Sequence, residues 1–307
     1  MNGEIPIVAV VGATAAGKTG LSLDLAERLG GEIVNTDAMQ LYRGMDIGTA
    51  KLPDGERRGV PHHLLDILEV TEPATVAEYQ GLARATIADL RASGRTPVLV
   101  GGSALYTRAV LDRFDFPGTD PTVRARLERE LEEHGVQELF ERLREADPLA
   151  ASRIEAATPG NGRRIVRALE VVEITGEPFS ARLPVQEYAD QHSIQVGVDI
   201  DRETLDARIR QRVEEMFDAG FVGEVERLLD AGLAGSRTAA TAIGYREVAQ
   251  YLAGELTLAE AKGRTAVKTR QFARRQDAWF RKDPRVVWVA SDDPDRVERA
   301  IAAIRQV

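Results

Sequence analysis

Four residues, Gly12, Gly17, Lys18 and Thr19, carry the clearest chemical pattern in this sequence. They lie in Gly12-Ala13-Thr14-Ala15-Ala16-Gly17-Lys18-Thr19, which matches the G-x-x-x-x-G-K-[ST] phosphate-binding loop. Glycines allow the backbone N–H groups to turn inward, and Lys18 adds a positive charge for the terminal phosphates. The Thr19 hydroxyl is suited to Mg²⁺. The pattern predicts a polyphosphate or diphosphate ligand, but it does not specify the reaction.

Two further polar groups follow short apolar runs. Asp37 ends the run 32–37, and Gly101-Gly102-Ser103 follows the run 96–100. Functional groups gather at the carboxyl ends of parallel strands. Asp37 therefore suits a metal ligand or a general base better than a loop cap. The Gly-Gly-Ser segment suits a ligand-binding hydroxyl and a plain tight turn equally well.

Two side chains just after Asp37 have a chemical and a structural interpretation. The Gln40 amide is suited to the edge of a purine, and the Tyr42 ring is suited equally to stacking and to core packing. His62 and His63 have no partners at metal-ligand spacing, so we interpret them as structural.

Basic residues cluster in the second half of a chain whose formal charge is −9. A local excess of this kind on an acidic protein predicts a surface for a polyanion, with nucleic acid favoured over a solvated helix face. The cluster comprises Arg163, Arg164, Arg167, Arg208, Arg212, Lys262, Arg264, Lys268, Arg270, Arg274, Arg275, Arg281 and Lys282, with Tyr245, Phe272, Trp279 and Phe280 interleaved.

The phosphate loop needs a strand before it and a helix after it, and the sequence supplies both. Residues 7–11 are a continuous β-branched run, and leucines recur at helical spacing from 21 to 29. Strands and helices alternate to residue 112, which predicts an α/β fold with a P-loop-type core and a parallel sheet flanked by helices. Residues 1–115 and 191–307 form this core, and 116–190 form an all-helical insertion domain without strands.

Composition narrows the class of protein further. The chain has 307 residues, of which 43% are hydrophobic, enough for a large core and a smaller second domain. It has no cysteine, which excludes disulfides and thiol catalysis. It shows neither a secretory signal nor a membrane span, so we expect a cytoplasmic protein without membrane contact.

Taken in order, these residues resemble the bacterial tRNA dimethylallyltransferases, also called tRNA isopentenyltransferases. The resemblance covers almost the whole chain and rests on residues 12–19, 36–51, 61–67, 99–106, 163–171, 242–247 and 269–276. It implies transfer of a dimethylallyl group from dimethylallyl diphosphate to N6 of adenosine 37, in tRNAs that read codons beginning with U. It also implies Mg²⁺, and a phosphate loop that binds an isoprenoid diphosphate.

The resemblance also implies roles for individual residues. Asp37 is the general base on N6, with Thr14 near the leaving oxygen and Ser103, where the family usually has threonine, as a further catalytic hydroxyl. The diphosphate is held by Gly12 to Thr19 and by Arg212, and the metal by Thr19. Contacts to the tRNA anticodon stem-loop are assigned to Asp37, Ala38 (usually serine), Met39, Gln40, Ser103, Arg124, Arg163, Arg164, Arg167, Thr241, Gly244, Tyr245 and Arg246.

Two other functions compete with this interpretation. A phosphate-loop kinase for a small molecule would need an ATP base pocket and a lid, and the arginines of residues 116–190 suit a long polyanion better. A protein that only binds RNA or nucleotides would leave Asp37 without a purpose. We expect a monomer that acts on RNA.

Overall fold

A single parallel sheet organises the larger part of the protein. The computed structural model describes residues 4–114, 116–182 and 186–307, and within these ranges one sheet contains β1 (Ile7–Val11), β2 (Glu32–Asn35), β3 (His62–His63), β4 (Pro97–Val100), β5 (Ser193–Asp199) and β6 (Val286–Ala290). All neighbouring strands are parallel, in the order β3-β2-β4-β1-β5-β6. The predicted α/β fold with a parallel sheet is therefore confirmed.

Helices cover both faces of this sheet, and three further helices pack with one another in a separate compact unit. They are α1 (Lys18–Leu29), α2 (Val76–Ala92), α3 (Ala104–Leu111), α4 (Pro121–Ala146), α5 (Pro148–Ala157), α6 (Gly162–Thr175), α7 (Arg202–Asp218), α8 (Phe221–Asp230), α9 (Tyr245–Leu252), α10 (Leu258–Phe280) and α11 (Arg296–Ile304). Most begin at a residue that the sequence marks as a cap, such as Thr75 before α2 and Thr257 before α10.

Strand β1 shows why the sheet is buried on both faces. Val8 and Val10 pack into one apolar cluster, whereas Ile7, Ala9 and Val11 pack into another on the opposite side. Alternate side chains of a strand point to opposite faces, so an uninterrupted apolar run is what a doubly covered strand requires.

The register of the central strands places three loops side by side. Val10 of β1 pairs with Val100 of β4, and Val100 pairs with Asn35 of β2. The segments that follow these three residues therefore leave the sheet at the same edge, which is where open α/β sheets bind ligands. Those segments contain the phosphate loop, Gly101-Gly102-Ser103 and Asp37.

The chain divides into two compact units. Residues 1–111 and 188–307 form the first, and residues 112–187 form the second. The predicted insertion, 116–190, is thus shifted by a few residues at each end, and residue 115 itself lies outside the described positions. Helices α4, α5 and α6 of the second unit pack around Leu127, Leu143 and Ile165, and its described residues contain no strand.

Two local features complete the description of the fold. His62 and His63 form the short edge strand β3, which a two-residue stretch without an apolar run could not reveal. Helix α4 runs through Gly135, which has φ 82° and interrupts the helical geometry there. None of the helices in the described ranges is long and apolar enough to cross a membrane.

Candidate active site

The phosphate loop has the backbone geometry that an anion site needs. Gly12 and Gly17 adopt positive φ angles of 134° and 105°, and a Cβ on Gly12 would lie 3.1 Å from the Val198 carbonyl oxygen. Gly17 immediately precedes α1, and no side chain caps that helix N-terminus. Its first N–H groups and the positive end of the helix dipole therefore face the loop, where they favour a negatively charged ligand.

Lys18 is the first residue of α1, and its side chain turns back into this loop. Its Nζ donates a hydrogen bond of 2.8 Å to the Ala13 carbonyl oxygen. The pKa of Lys18 is lowered to about 8: burial is the largest cause, the Asp37 carboxylate opposes it, and the positive charge of Arg212 adds to it. Burial of the charged ammonium is therefore energetically unfavourable in the ligand-free protein, and a bound anion would stabilise it.

Arg212 of α7 completes a cationic wall. Its Nη1 lies 3.4 Å from Thr14 Oγ1, and its Nη2 lies 3.4 Å from the Thr49 carbonyl oxygen. Burial lowers the pKa of Arg212, and the charge of Asp37 opposes this. Lys18 and Arg212 thus both lie within the electrostatic influence of Asp37 and of each other.

Asp37 follows β2 and is held in place by its neighbour Asn35. The Asp37 N–H donates to Asn35 Oδ1 over 2.9 Å, and Asn35 Nδ2 donates to the Asp37 carbonyl oxygen over 3.1 Å. The Asp37 Oδ1 accepts a hydrogen bond of 2.9 Å from the Met39 N–H and so caps the short 3₁₀ helix Ala38–Leu41. The sequence favours a chemical role over capping for this residue; the structure shows the cap, and the half-buried Asp37 also lines a cavity.

Two adjoining cavities meet at this point. The smaller, of ≈ 250 Å³, contains Lys18 and Thr19, and the larger, of ≈ 400 Å³, contains Ser103 and Tyr245. Both are lined by Thr14, Asp37, Thr49, Arg212 and Phe272. Asp37 and Lys18 therefore share a cavity, and Asp37 also faces a second space that is more apolar.

The Gly101-Gly102-Ser103 segment brings β4 close to Asp37. A Cβ on Gly101 would lie 2.3 Å from Thr36 Oγ1 and 2.7 Å from the Asp37 nitrogen, so this position has no room for a side chain. Ser103 Oγ accepts a hydrogen bond of 3.2 Å from the Ala38 N–H. The segment is therefore a tight turn, and it also presents the Ser103 hydroxyl beside the Asp37 loop.

The side chains after Asp37 mostly have structural contacts. Gln40 Nε2 donates to the Thr49 carbonyl oxygen over 3.1 Å, and Gln40 lines the smaller cavity rather than the larger one. Tyr42 is fully buried, so core packing is the correct interpretation of its ring. His62, predicted to be structural, also lines the smaller cavity.

The oxygen ligands available for a cation are few. In the described part of the chain no group of three His, Asp or Glu side chains converges as a metal site. The Thr19 hydroxyl and the Asp37 carboxylate line one cavity, next to the predicted diphosphate position. This set fits Mg²⁺, which keeps several waters and binds through one or two protein oxygens together with substrate phosphates.

The segment 241–246 contains both exposed and buried positions. Thr241 and Arg246 are exposed, and Thr241 Oγ1 donates to the Thr238 carbonyl oxygen over 2.6 Å. Tyr245 is buried and its hydroxyl donates to Glu224 over 2.6 Å. Gly244 is buried with φ 92°, and a Cβ there would lie 2.9 Å from the Phe221 ring. The Tyr245 ring packs against Phe221 and also lines the larger cavity, so its predicted RNA contact stays a prediction.

Arginines of the second unit differ in how far they are already engaged. Glu170 is fully buried and pairs with both Arg124 and Arg167. Arg167 Nη2 also donates to the Pro117 carbonyl oxygen over 2.6 Å. Arg163 and Arg164, in the first turn of α6, are both exposed.

The basic cluster on α10 carries less net charge than its sequence suggests. Lys262, Lys268, Arg274 and Arg281 each lie within ion-pair distance of an acidic side chain. The Phe280 ring is fully buried, as is that of Tyr245, so neither interleaves with the cluster as predicted.

Sequence reasoning missed two buried side chains that organise the site. Glu224 accepts hydrogen bonds from the backbone N–H groups of Asp46, Ile47 and Gly48, and so fixes the loop that carries Thr49. Gln276 of α10 accepts a hydrogen bond of 2.8 Å from the Thr14 N–H. Nothing in the local sequence distinguishes Glu224 from other glutamates on an amphipathic helix. Gln276 could have been noticed, because it is the last residue of the motif at residues 269–276.

Comparison with known proteins identifies the family. The family described as IPP transferase matches residues 40–283. This chain belongs to the IPP transferase family. A relative from Nocardioides sp. named tRNA dimethylallyltransferase is 72% identical over 299 residues, covering 97% of this chain and 96% of that protein. The resemblance stated from the motifs is confirmed, and the chain is a prenyltransferase that modifies tRNA.

Solved structures agree with this assignment. The tRNA isopentenylpyrophosphate transferase of Bacillus halodurans superimposes with a TM-score of 0.70 at 38% identity, covering 98% of this chain and 95% of that one. A eukaryotic dimethylallyltransferase solved acting on tRNA gives a TM-score of 0.83 at 24% identity, covering 96% and 77%, and its likeness concerns the fold. IPP transferases generally need a divalent cation.

Proposed function

We propose that this protein transfers the dimethylallyl group of dimethylallyl diphosphate to N6 of adenosine 37, in tRNAs that read codons beginning with U. The products are N6-dimethylallyladenosine and diphosphate. One observation carries the proposal: Asp37, suited to accept a proton, lines the same cavity as Lys18, suited to bind a diphosphate. The following roles belong to this proposal.

The leaving group is stabilised on the side of the phosphate loop. As the bond between the allylic carbon and oxygen breaks, the electron pair passes to the diphosphate, whose charge needs compensation. The inward N–H groups of residues Gly12 to Thr19, together with Lys18 and Arg212, supply it. Thr14 Oγ1 lies near the Arg212 guanidinium, so its own hydrogen is free to turn toward the departing oxygen.

The acceptor is activated on the side of Asp37. The exocyclic amine of adenine is a weak nucleophile, because its lone pair is delocalised into the ring. As the new bond between N6 and carbon forms, Asp37 accepts the N6 proton. Adenosine 37 must leave the stack of its loop to reach this carboxylate, and the cavity of ≈ 400 Å³ has room for a base.

Mg²⁺ is the proposed cation, with Thr19 as its protein ligand from α1. When bound, it would neutralise part of the diphosphate charge. The Thr19 hydroxyl lies at the N-terminal turn of that helix and is accessible from the smaller cavity.

The tRNA would be held by residues from both units. Ala38, Met39, Gln40 and Ser103 belong to the loops around Asp37, and Thr241 and Arg246 are exposed on the first unit. Arg124, Arg163, Arg164 and Arg167 are the proposed contacts from the second unit. Gly244 and Tyr245 are proposed contacts from the first unit, where Tyr245 lines the larger cavity. We propose that the enzyme acts as a monomer in the cytoplasm.

The test is a prenyl-transfer assay. The purified protein, dimethylallyl diphosphate and Mg²⁺ are incubated with an anticodon stem-loop RNA that contains A36-A37-A38, and the RNA is digested and analysed by mass spectrometry. We expect a dimethylallyl adduct on A37, which an RNA with G37 cannot form. Transfer of phosphate from ATP without any prenyl adduct would instead establish a kinase and reject the proposal.

A further inference from the structure

Gln276 is a buried polar residue that the proposed reaction does not use. It lies near the end of α10, and its side chain is only 4% exposed. A buried amide must find partners for both its oxygen and its nitrogen, or its burial is destabilising. The identity of those partners therefore shows what the residue holds together.

The Gln276 amide joins two of the loops at the edge of the sheet. Its Oε1 accepts a hydrogen bond of 2.8 Å from the Thr14 N–H, and its Nε2 donates one of 2.8 Å to the Gly102 carbonyl oxygen. One partner is a donor and the other an acceptor, so a flipped amide would lose both bonds. The orientation of this side chain is therefore unique.

The connection continues to the loop that contains Asp37. Gly102 is followed by Ser103, whose Oγ accepts the hydrogen bond of the Ala38 N–H. A continuous path thus runs from Thr14 in the phosphate loop, through Gln276 and Gly102-Ser103, to the residue after Asp37.

Packing around this path is tight. A Cβ added to Gly102 would lie 2.1 Å from Gln276 Nε2, so the glycine is required for the helix to approach the turn. Displacing the amide would therefore disturb the turn after β4 through this close contact, and the phosphate loop through loss of the hydrogen bond from the Thr14 N–H.

We infer that Gln276 is a positioning residue, which sets the distance between the diphosphate in the phosphate loop and the proton acceptor Asp37. The inference rests on the proposed function, since it concerns the geometry of that reaction. Gln276 also lines the smaller cavity, but the inference requires no hydrogen bond from its amide to either substrate, because Oε1 and Nε2 each already have a partner within the protein. The two binding steps should depend on it weakly, and the transfer step strongly.

The experiment compares three substitutions with the unsubstituted protein. Gln276→Met keeps the length of the side chain and removes both hydrogen bonds. Gln276→Glu keeps an acceptor for the Thr14 N–H and, while ionised, lacks the donor for Gly102. Gln271→Met, on an exposed position of the same helix, is the matched control. Single-turnover transfer at saturating substrates is measured, together with the separate affinities for dimethylallyl diphosphate and for RNA.

For Gln276→Met we expect the single-turnover rate constant to fall roughly 10- to 100-fold, the scale on which a misplacement of about 1 Å lowers rates. Each affinity should change less than about threefold, and Gln271→Met should match the unsubstituted protein. A normal rate for Gln276→Met would overturn the inference. The inference would also be overturned if Gln276→Met lowered both affinities as much as the rate and lowered the transition temperature, because that pattern indicates general structural damage.

Gln276→Glu provides a test that does not depend on the stability of the methionine variant. A protonated carboxyl has one donor and one acceptor, as the amide does. Burial raises the pKa of a carboxyl above its ordinary value of about 4.3, so the rate of this variant relative to the unsubstituted protein should rise as the pH is lowered toward that pKa. Protonation of the carboxyl is followed by its infrared band, and a rate ratio that stayed constant while the carboxyl took up its proton would contradict the inference. If the unsubstituted protein formed no prenyl adduct, the proposed function and this inference would fail together, whereas normal transfer by Gln276→Met would reject the inference alone.

Discussion

The pH dependence of diphosphate binding follows from the environment of Lys18. Burial lowers the pKa of this residue to about 8 from an ordinary value of 10.5. A bound diphosphate stabilises the ammonium, so binding is strongest below pH 8 and weakens as Lys18 loses its proton. At pH 9 about ten molecules carry neutral Lys18 for each one that is charged, and the affinity should be about tenfold below its plateau at pH 6–7. With an ordinary pKa the loss at pH 9 would be only a few per cent.

The assay is titration calorimetry with dimethylallyl diphosphate and Mg²⁺ between pH 6.5 and 9.5. Lys18→Arg is the control, because an arginine at this position stays charged throughout the range. Its profile reports the titration of the ligand and of the metal complex, and dividing the two profiles isolates Lys18. Asp37→Asn provides a second check: the Asp37 charge raises the pKa of Lys18, so this variant should move the midpoint to lower pH.

The result that would refute this reasoning is specific. If the unsubstituted protein and Lys18→Arg showed parallel profiles from pH 7 to 9, Lys18 would not titrate in that range. Burial of its ammonium in the phosphate loop would then not lower its pKa enough to affect diphosphate binding.

Three other predictions follow from the site. Asp37→Asn should slow single-turnover transfer roughly 10²- to 10⁴-fold, the usual contribution of a general base, while RNA binding measured by filter retention stays within a few-fold; weak binding with normal chemistry would exclude that role. Lys18→Met should raise the free energy of unfolding at pH 7 by about 1–3 kcal/mol in urea titrations of the ligand-free protein. The folded-state pKa lies below the unfolded value, so this gain should shrink from pH 8 to 10.5, and a gain independent of pH would count against a buried charge. RNA affinity should fall with salt at a log–log slope of about −3 or steeper, and a flat response would leave the basic residues as ordinary surface.

Much of the sheet could be predicted because its strands have local signatures. The run Ile7–Val11 became β1 with the same bounds, and the ends of β2 and β4 fell within two residues of the predicted ones. The edge strand β3 could not be predicted, since a pair of histidines acquires strand geometry only from pairing with Ile33 and Val34. The tertiary partner, rather than local preference, determines that element.

The candidate site divides in the same way. The phosphate loop and Asp37 were recognisable because their chemistry depends on residue types at fixed spacing. Glu224 and Gln276 act through partners that are 176 and 174 residues away, Gly48 and Gly102, and no local pattern encodes such contacts. The basic cluster was overestimated for the same reason, because the acid that neutralises Lys262 lies on a different helix.

The way in which the chain enters and leaves the second unit has a consequence for its origin. The Ala189 N–H donates to the Leu111 carbonyl oxygen over 2.8 Å, and the Arg113 N–H donates to the Glu187 carbonyl oxygen over 2.9 Å. Outgoing and returning segments are thus neighbours, so an ancestor without residues 112–187 could have joined its helix α3 to β5 by a short connection. A single insertion event would then suffice to add the whole appendage, with no strand of the sheet re-threaded.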